Sequence, residues 1–426
     1  MMKKPFLVLF CILITLTIAA QQRDLSYYQS AANTNSPEIK ENINLQKFSL
    51  FQSDLIKAQN QKPQINFTAD YLFAPFLFNN GKFMSITGNP DGKAFGYDAA
   101  LTDGGLYAAQ LSVTKSLFNK KTINALLDQN RYENESLKIN QTQLQHDLAK
   151  SVSDAYISVY QAQQQKDYLK GAIAAIMDRL GILETLVKKD LMKQSDYLQL
   201  EIELNSKHFE LKQQQSTLLA AISQLNSLCG INDTTVYRFS APLINRSILV
   251  EKYFFEGKYA NDSLSILAQQ VVSNSKYKPQ LNVFGNTGLN STQASNIPHN
   301  LGVTAGFHLN IPIYDGHQKR IIESQNRILL ENSRIYRNSY ACKIQNELAL
   351  IDKQIGTEKE SLALLEMQLS KMQTLINIYE SKLSIGQISV MEYIVALQDY
   401  SQAVQNKLQL ETNMWLLINQ YNYLNW

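Results

Sequence analysis

The chain of 426 residues has few cysteines, few prolines and no long apolar run beyond its start. One of the three cysteines, Cys11, lies in the first twenty residues, which leaves Cys229 and Cys342. Two cysteines are too few for a disulfide framework in a chain of this length, so we expect both to be small buried side chains. No later segment reaches the ~18 apolar residues that a membrane-spanning helix needs. The sequence therefore excludes a disulfide scaffold and a helical membrane protein.

Strong charge of either sign is also missing. The 40 basic and 37 acidic residues are spread along the chain and leave a formal net charge of +3. A nucleic-acid partner is excluded by the lack of a basic patch. The five histidines have no metal-ligand spacing, and no nucleophile elbow or phosphate-binding loop is found. We therefore expect no catalytic residue, no cofactor and no metal, which means that the protein is not an enzyme.

The amino terminus has the layout of a secretory signal peptide. Lys3 and Lys4 precede an apolar run from Phe6 to Ile18, and Ala19-Ala20 follows. This run is short for a spanning helix, so we predict that residues 1–20 are removed after export. Phe10 stands where a lipoprotein anchor at Cys11 would need a small residue, so we do not expect lipidation. An exported chain can still enter an outer membrane, provided that it uses strands.

Apolar and polar residues alternate in four segments, at about 63–78, 105–118, 278–290 and 301–315. Such alternation, with apolar residues outside and polar residues inside, is the signature of an outer-membrane barrel. The alternative is a soluble sheet that packs its apolar face on a core. In the barrel interpretation, the polar positions that we expect to face the lumen are Asn66, Asp70, Gln110, Thr114, Asn282, Thr304 and His308.

Four strands cannot close a barrel, because a lone sheet of that width leaves two edges that lipid cannot satisfy. Closure must come from further copies of the chain. Three copies would supply about twelve strands and leave an open lumen. We therefore predict a homotrimer, for which cyclic symmetry is the simplest arrangement.

The remaining chain is predicted to be helical. Shorter helices at about 26–61 and 256–274 lead into the strand pairs, and helical hairpins follow at about 120–228 and 317–426. The second hairpin has no proline and carries heptad-spaced apolar residues from Ile344 to Tyr379, which is typical of a coiled-coil seam. A helix from His317 to Leu383 would be on the order of 100 Å long. Such a helix would project away from the membrane.

The chain contains an internal repeat. Lys62-Pro63-Gln64 recurs as Lys278-Pro279-Gln280, and each proline marks a junction where we expect a helix to give way to a strand. Asp196-Tyr197 corresponds to Glu392-Tyr393, 196 residues further on. We therefore divide the chain into a first repeat at 21–230, an irregular linker at 231–255 and a second repeat at 256–426.

In its order of elements the mature chain resembles the TolC-type outer-membrane efflux family. The segments that carry the resemblance are Lys278–Leu281, Ile311–Gly316, Asp154–Tyr156, Gly386 with Glu392, and Leu225–Gly230. It implies a mixed α/β membrane protein: a trimeric, twelve-stranded barrel in the outer membrane, continued by an antiparallel helical tunnel through the periplasm. It also implies docking to a periplasmic adaptor and an inner-membrane transporter, with export of small molecules or proteins. The chain departs from the pattern where Asp190 stands in place of a glycine.

The resemblance also points to functional positions at the helix reversals. Carboxylates of the family narrow the tunnel there, one of them at the position of Glu392, whose repeat mate is Asp196. The alternative, of equal weight, is that both are solvated acids just inside a helix N-terminus, where the helix dipole favours negative charge. We expect apolar residues at the reversals to be exposed, so that they need covering, either by the adaptor or by neighbouring hairpins. The candidates for adaptor contact are Leu191, Met192, Gly386, Ile388 and Val390.

The function that we expect is a passive outer-membrane conduit of a tripartite efflux or type I secretion system. The alternative is a periplasmic coiled-coil scaffold or adaptor whose strands form a soluble β-domain. Fractionation of cells separates the two, because only the conduit is an outer-membrane protein.

Overall fold

The computed structural model describes residues 23–87, 90–96, 105–233, 235–251, 253–291 and 294–426. The predicted signal peptide at 1–20 lies outside these residues. Across the described part of the chain, no helix combines the length and the apolarity that crossing a membrane requires.

The described residues form seven α-helices and six strands. The helices are α1 (Leu25–Asn35), α2 (Pro37–Gln61), α3 (Lys120–Lys188), α4 (Gln194–Leu228), α5 (Phe254–Ser275), α6 (Gln318–Leu383) and α7 (Val390–Leu424). The strands are β1 (Gln64–Phe73), β2 (Phe76–Asn79), β3 (Lys82–Ser85), β4 (Gly105–Leu117), β5 (Gln280–Ser291) and β6 (Leu301–Asn310). A short 3-10 helix, Ala294–His299, precedes β6.

The main sheet has four antiparallel strands in the order β1-β4-β5-β6. Strands β1 and β5 each begin at the glutamine that follows a proline, Pro63 or Pro279. Proline suits this position because it costs at most one ladder hydrogen bond at the start of a strand. Strands β2 and β3 form a separate two-stranded sheet.

Two predicted strands are shorter than expected. The strand predicted at 63–78 ends at Phe73, because Pro75 follows and cannot donate to the ladder; Phe76 then opens the separate hairpin. The strand predicted at 301–315 ends at Asn310. Its last partner is Gln280, where β5 begins, so the chain beyond Asn310 has no strand to pair with.

The helix predicted at 26–61 is wrong in one respect, because it is divided at Ser36. Pro37 follows, and a residue before proline is disfavoured in the helical conformation. The hydroxyl of Ser36 accepts a hydrogen bond from the Ile39 amide at 3.3 Å, so a new helix starts there with proline at its first position. The irregular linker, predicted at 231–255, ends in the structure at Tyr253, because α5 begins at Phe254.

The described residues form two compact units, and each unit draws on both halves of the sequence. One unit combines the described residues before Glu41 with Thr142–Tyr253 and Cys342–Trp426, and it contains both helix reversals. The other combines Glu41–Gln141 with Phe254–Ala341, and it contains both sheets.

The unit with the helix reversals has an aromatic core in which Tyr28 packs against Tyr156 and Phe239. The irregular linker is fastened to α3, because the Gln163 side chain both donates to and accepts from the Phe239 backbone at 2.8 Å. Cys229 lies in this core, and burial raises the pKa of its thiol to about 12. Cys342 is exposed, which corrects the expectation that both cysteines are buried. It lies two residues before the seam residue Ile344, on another face of α6.

Candidate functional site

The two helix reversals pack on one apolar core. This core joins α3, α4, α6 and α7, and its buried members include Leu183, Leu200, Leu383 and Tyr393. Ile376, from the predicted seam of α6, belongs to this core. Four other seam residues that come earlier in the same helix are also buried: Ile344, Leu348, Ile351 and Ile355. Residues of both reversals are therefore held by contacts between the two hairpins.

Both reversals use a left-handed backbone. Gly386 has φ 72°, and Asp190, which lies 196 residues earlier, has φ 57°. The left-handed region is open to glycine at no steric cost, and aspartate is among the side chains that tolerate it. The departure from the family pattern at Asp190 therefore leaves the turn geometry unchanged.

Glu392 lies in the first turn of α7 and takes part in a capping box. Its carboxylate accepts a hydrogen bond from the Ser389 amide at 3.1 Å, while the Ser389 hydroxyl accepts one from the Glu392 amide at 3.2 Å. Asp196 lies in the first turn of α4 and is half-buried. Both acids occupy helix N-termini, where the helix dipole favours negative charge. Their part in a constriction stays a prediction.

The five candidates for adaptor contact differ in exposure. Leu191 is 65% exposed, and Gly386 is exposed at the turn. Met192 and Ile388 are partly buried against the apolar core. Val390 is fully buried, so its predicted exposure is wrong: it is the first residue of α7 and lies in the core. Ile385, which the sequence did not single out, is 65% exposed.

An ion pair links the two hairpins near the reversals. Arg179 on α3 donates to the Glu380 carboxylate on α6 at 2.7 Å, and the Tyr393 hydroxyl on α7 donates to the same carboxylate at 3.2 Å. Burial favours the uncharged form of Arg179, but the hydrogen bond to Glu380 raises its pKa above the ordinary value. Burial, together with the charge of Glu380, also raises the pKa of Tyr393, so its hydroxyl stays neutral. We call these residues the cross-hairpin triad.

The main sheet has one polar and one apolar face. Directly paired residues point to the same side of a sheet, and the register places all seven predicted lumen positions on one face. The opposite face is apolar, and several of its side chains are exposed, including Phe67 at 69%, Val303 at 80% and Phe307 at 73%. Within the described residues, the edge strands β1 and β6 each pair with one strand of this sheet. The sheet is therefore open at both sides.

Among the described residues, no group of three or more histidine, cysteine, aspartate or glutamate side chains could hold a metal ion.

Paired long helical hairpins joined to a four-stranded sheet define a known class of fold. The chain has the fold of TolC-type outer-membrane channels, which confirms the predicted fold class at the level of one chain. Neither models of known families nor curated proteins match the sequence, so the likeness rests on the structure. The trimer and the repeat stay predictions.

Three solved structures illustrate the likeness. The outer membrane protein VceC of Vibrio cholerae is 12% identical with a TM-score of 0.70, over 94% of this chain and 96% of that one. The outer-membrane channel CmeC of Campylobacter jejuni is 12% identical with a TM-score of 0.70, over 94% of this chain and 85% of that one. The outer-membrane channel OprN is 14% identical with a TM-score of 0.71, over 94% of this chain and 89% of that one.

Proposed function

We propose that the protein is a passive outer-membrane channel-tunnel of a tripartite efflux or type I secretion system. The observation that carries this proposal is the main sheet, with its polar face, its exposed apolar face and its two open edges. Strands of 10 to 13 residues are long enough to cross a bilayer when tilted. The 69-residue helix α3 follows β4 directly, so strand and tunnel belong to one continuous chain.

The functional form in this proposal is a homotrimer. Open edges expose backbone donors and acceptors that lipid cannot satisfy, so β1 of one copy must pair with β6 of the next. Three copies give about twelve strands and a lumen lined by Asn66, Asp70, Gln110 and the other polar positions. The apolar faces then contact lipid, and the helices extend into the periplasm.

The partners in this proposal are a periplasmic adaptor and, beyond it, an inner-membrane transporter. Leu191 and Ile385 present exposed apolar side chains at the two reversals. In addition, α6 and α7 enclose a groove of about 310 Å³, whose lining includes Met372, Leu375 and Met391 together with the carboxylates Glu392 and Asp399. Methionine-lined grooves adapt to the apolar face of a partner helix.

Planar-bilayer recording tests the conduit. Purified protein without residues 1–20 is expected to insert and to give uniform, stepwise ion currents. A soluble coiled-coil scaffold would give no steps under the same conditions, and that outcome would contradict the proposal.

Cation selectivity tests the acids at the helix starts. The double variant Glu392→Gln, Asp196→Asn removes up to six charges from a trimer, and we expect its reversal potential in a salt gradient to move toward zero. Glutamine at position 392 keeps the capping box, so α7 still begins at Val390. An unchanged reversal potential would show that neither acid lines the constriction.

A further inference from the structure

A cavity of about 290 Å³ lies among α3, α4, α6 and α7, and its lining includes Ile176 and Ile376 of the apolar core and Glu380 of the cross-hairpin triad. It shares Tyr168, Glu203, Lys207 and Ser401 with an adjoining cavity of about 590 Å³. Each is of the order of size that takes a small organic molecule. Nothing in the proposed conduit assigns a role to these cavities.

The smaller cavity has apolar walls. Ala172 and Ile176 on α3 face Ile376 on α6 and Leu397 on α7. The neighbouring Gly171 leaves open space, because a Cβ atom placed there would meet no atom within 4 Å. Since no side chain of the described residues fills this space, the walls can accept the flat body of a ligand.

The polar lining carries an excess of negative charge. Glu203 and Lys207 are 7% and 8% exposed; Lys207 donates to Glu210 at 2.9 Å and lies 3.7 Å from Glu203. Gln398 also donates to Glu203 at 2.9 Å. The lining carboxylates are Asp167, Glu203, Glu210 and Glu380, and the cations beside them are Lys207 and Arg179. Four carboxylates against two cations favour a positively charged ligand.

Ser401 adds a polar group in the same place. It is 5% exposed and lines both cavities. Its hydroxyl lies beside the Tyr168 hydroxyl, which also lines both cavities. Each hydroxyl can donate one hydrogen bond and accept others, so the pair can also bind a polar group of a ligand. Tyr168 and Tyr400 add aromatic rings that attract cations.

We propose that these cavities form a binding site for an organic cation with a flat apolar body. The body packs against Ala172, Ile176 and Leu397, and the positive charge lies between Asp167 and Glu203. Anions are repelled by the excess of carboxylates. A bare metal ion lacks a ligand set, since the described residues contain no suitable group of three.

Fluorescence titration of the purified full-length protein with ethidium tests this site. We expect saturable binding that Glu203→Gln weakens about tenfold, because it removes the buried carboxylate near the bound charge. Ala172→Phe fills the apolar wall and is expected to abolish binding. The control is Glu184→Gln, which removes an exposed carboxylate paired only with Lys188 in the described part of α3 and leaves binding unchanged.

The anionic dye fluorescein and protein-free detergent micelles complete the test. We expect neither fluorescein binding by the protein nor saturable ethidium binding by the micelles. Equal binding of both dyes, or ethidium affinity within twofold of wild type in both site variants, would overturn the proposal. Thermal unfolding of each variant verifies that it is folded. Dye binding in solution is measured without channel currents. A negative titration would therefore contradict the binding site and leave the proposed conduit unaffected.

Discussion

Val303→Arg is expected to prevent the protein from accumulating as a trimer in the outer membrane. Val303 is 80% exposed on the apolar face of β6. An arginine on the lipid face of a barrel costs roughly 2–4 kcal/mol at the bilayer midplane and less toward the interfaces, and each trimer would carry three. Outer-membrane fractions analysed by gel electrophoresis without heating measure the loss of the trimer band.

The matched control is Thr304→Arg, one residue further along the same strand. Thr304 pairs with Asn286 on the polar face, where an arginine side chain would remain in water. We expect the trimer of this variant to assemble at close to the wild-type level. If the two variants behaved alike, the assignment of the two faces to lipid and lumen would be wrong.

Glu380→Gln is expected to open the tunnel at its helical end. The carboxylate joins α3 and α7 to α6 through Arg179 and Tyr393, and these side chains are largely buried. A coupling of about 1–3 kcal/mol shifts an equilibrium between closed and open forms by roughly 5- to 150-fold. We therefore expect more frequent long openings in bilayer recordings, and greater sensitivity of cells to large antibiotics such as vancomycin.

The control for this prediction is again Glu184→Gln. Glu184 pairs with Lys188 within α3 at 2.7 Å, and both side chains are largely exposed. Exposed ion pairs of this kind contribute little to stability, so the frequency of long openings should match that of the wild type. If long openings were equally frequent in Glu380→Gln and in the wild type, the cross-hairpin triad would have no role in gating.

The sequence predicted features that depend on local pattern. Alternation identified which residues share a face of the main sheet, because the side-chain period of a strand is two. Pro63 and Pro279 located the junctions, because proline ends a helix and is tolerated at the start of a strand. Asp190 stood out in the sequence only as a departure from the family pattern, and the structure shows that it adopts a left-handed backbone, as Gly386 does.

Features that depend on contacts between helices could not be read from the sequence. The cross-hairpin triad takes its members from three helices, so no spacing within one helix identifies it. Val390 was expected to be exposed because it lies at a reversal, yet packing between hairpins buries it. The cavity beside Glu203 is also invisible in the sequence, since it is defined by side chains that four helices leave apart.

Fractionation of cells that express the full chain tests the central claim most directly. We predict that the protein is recovered in the outer membrane, and that without heating it migrates in gels as a complex of three chains that dissociates on boiling. Recovery of a monomer in the soluble periplasmic fraction would contradict both the barrel and the conduit.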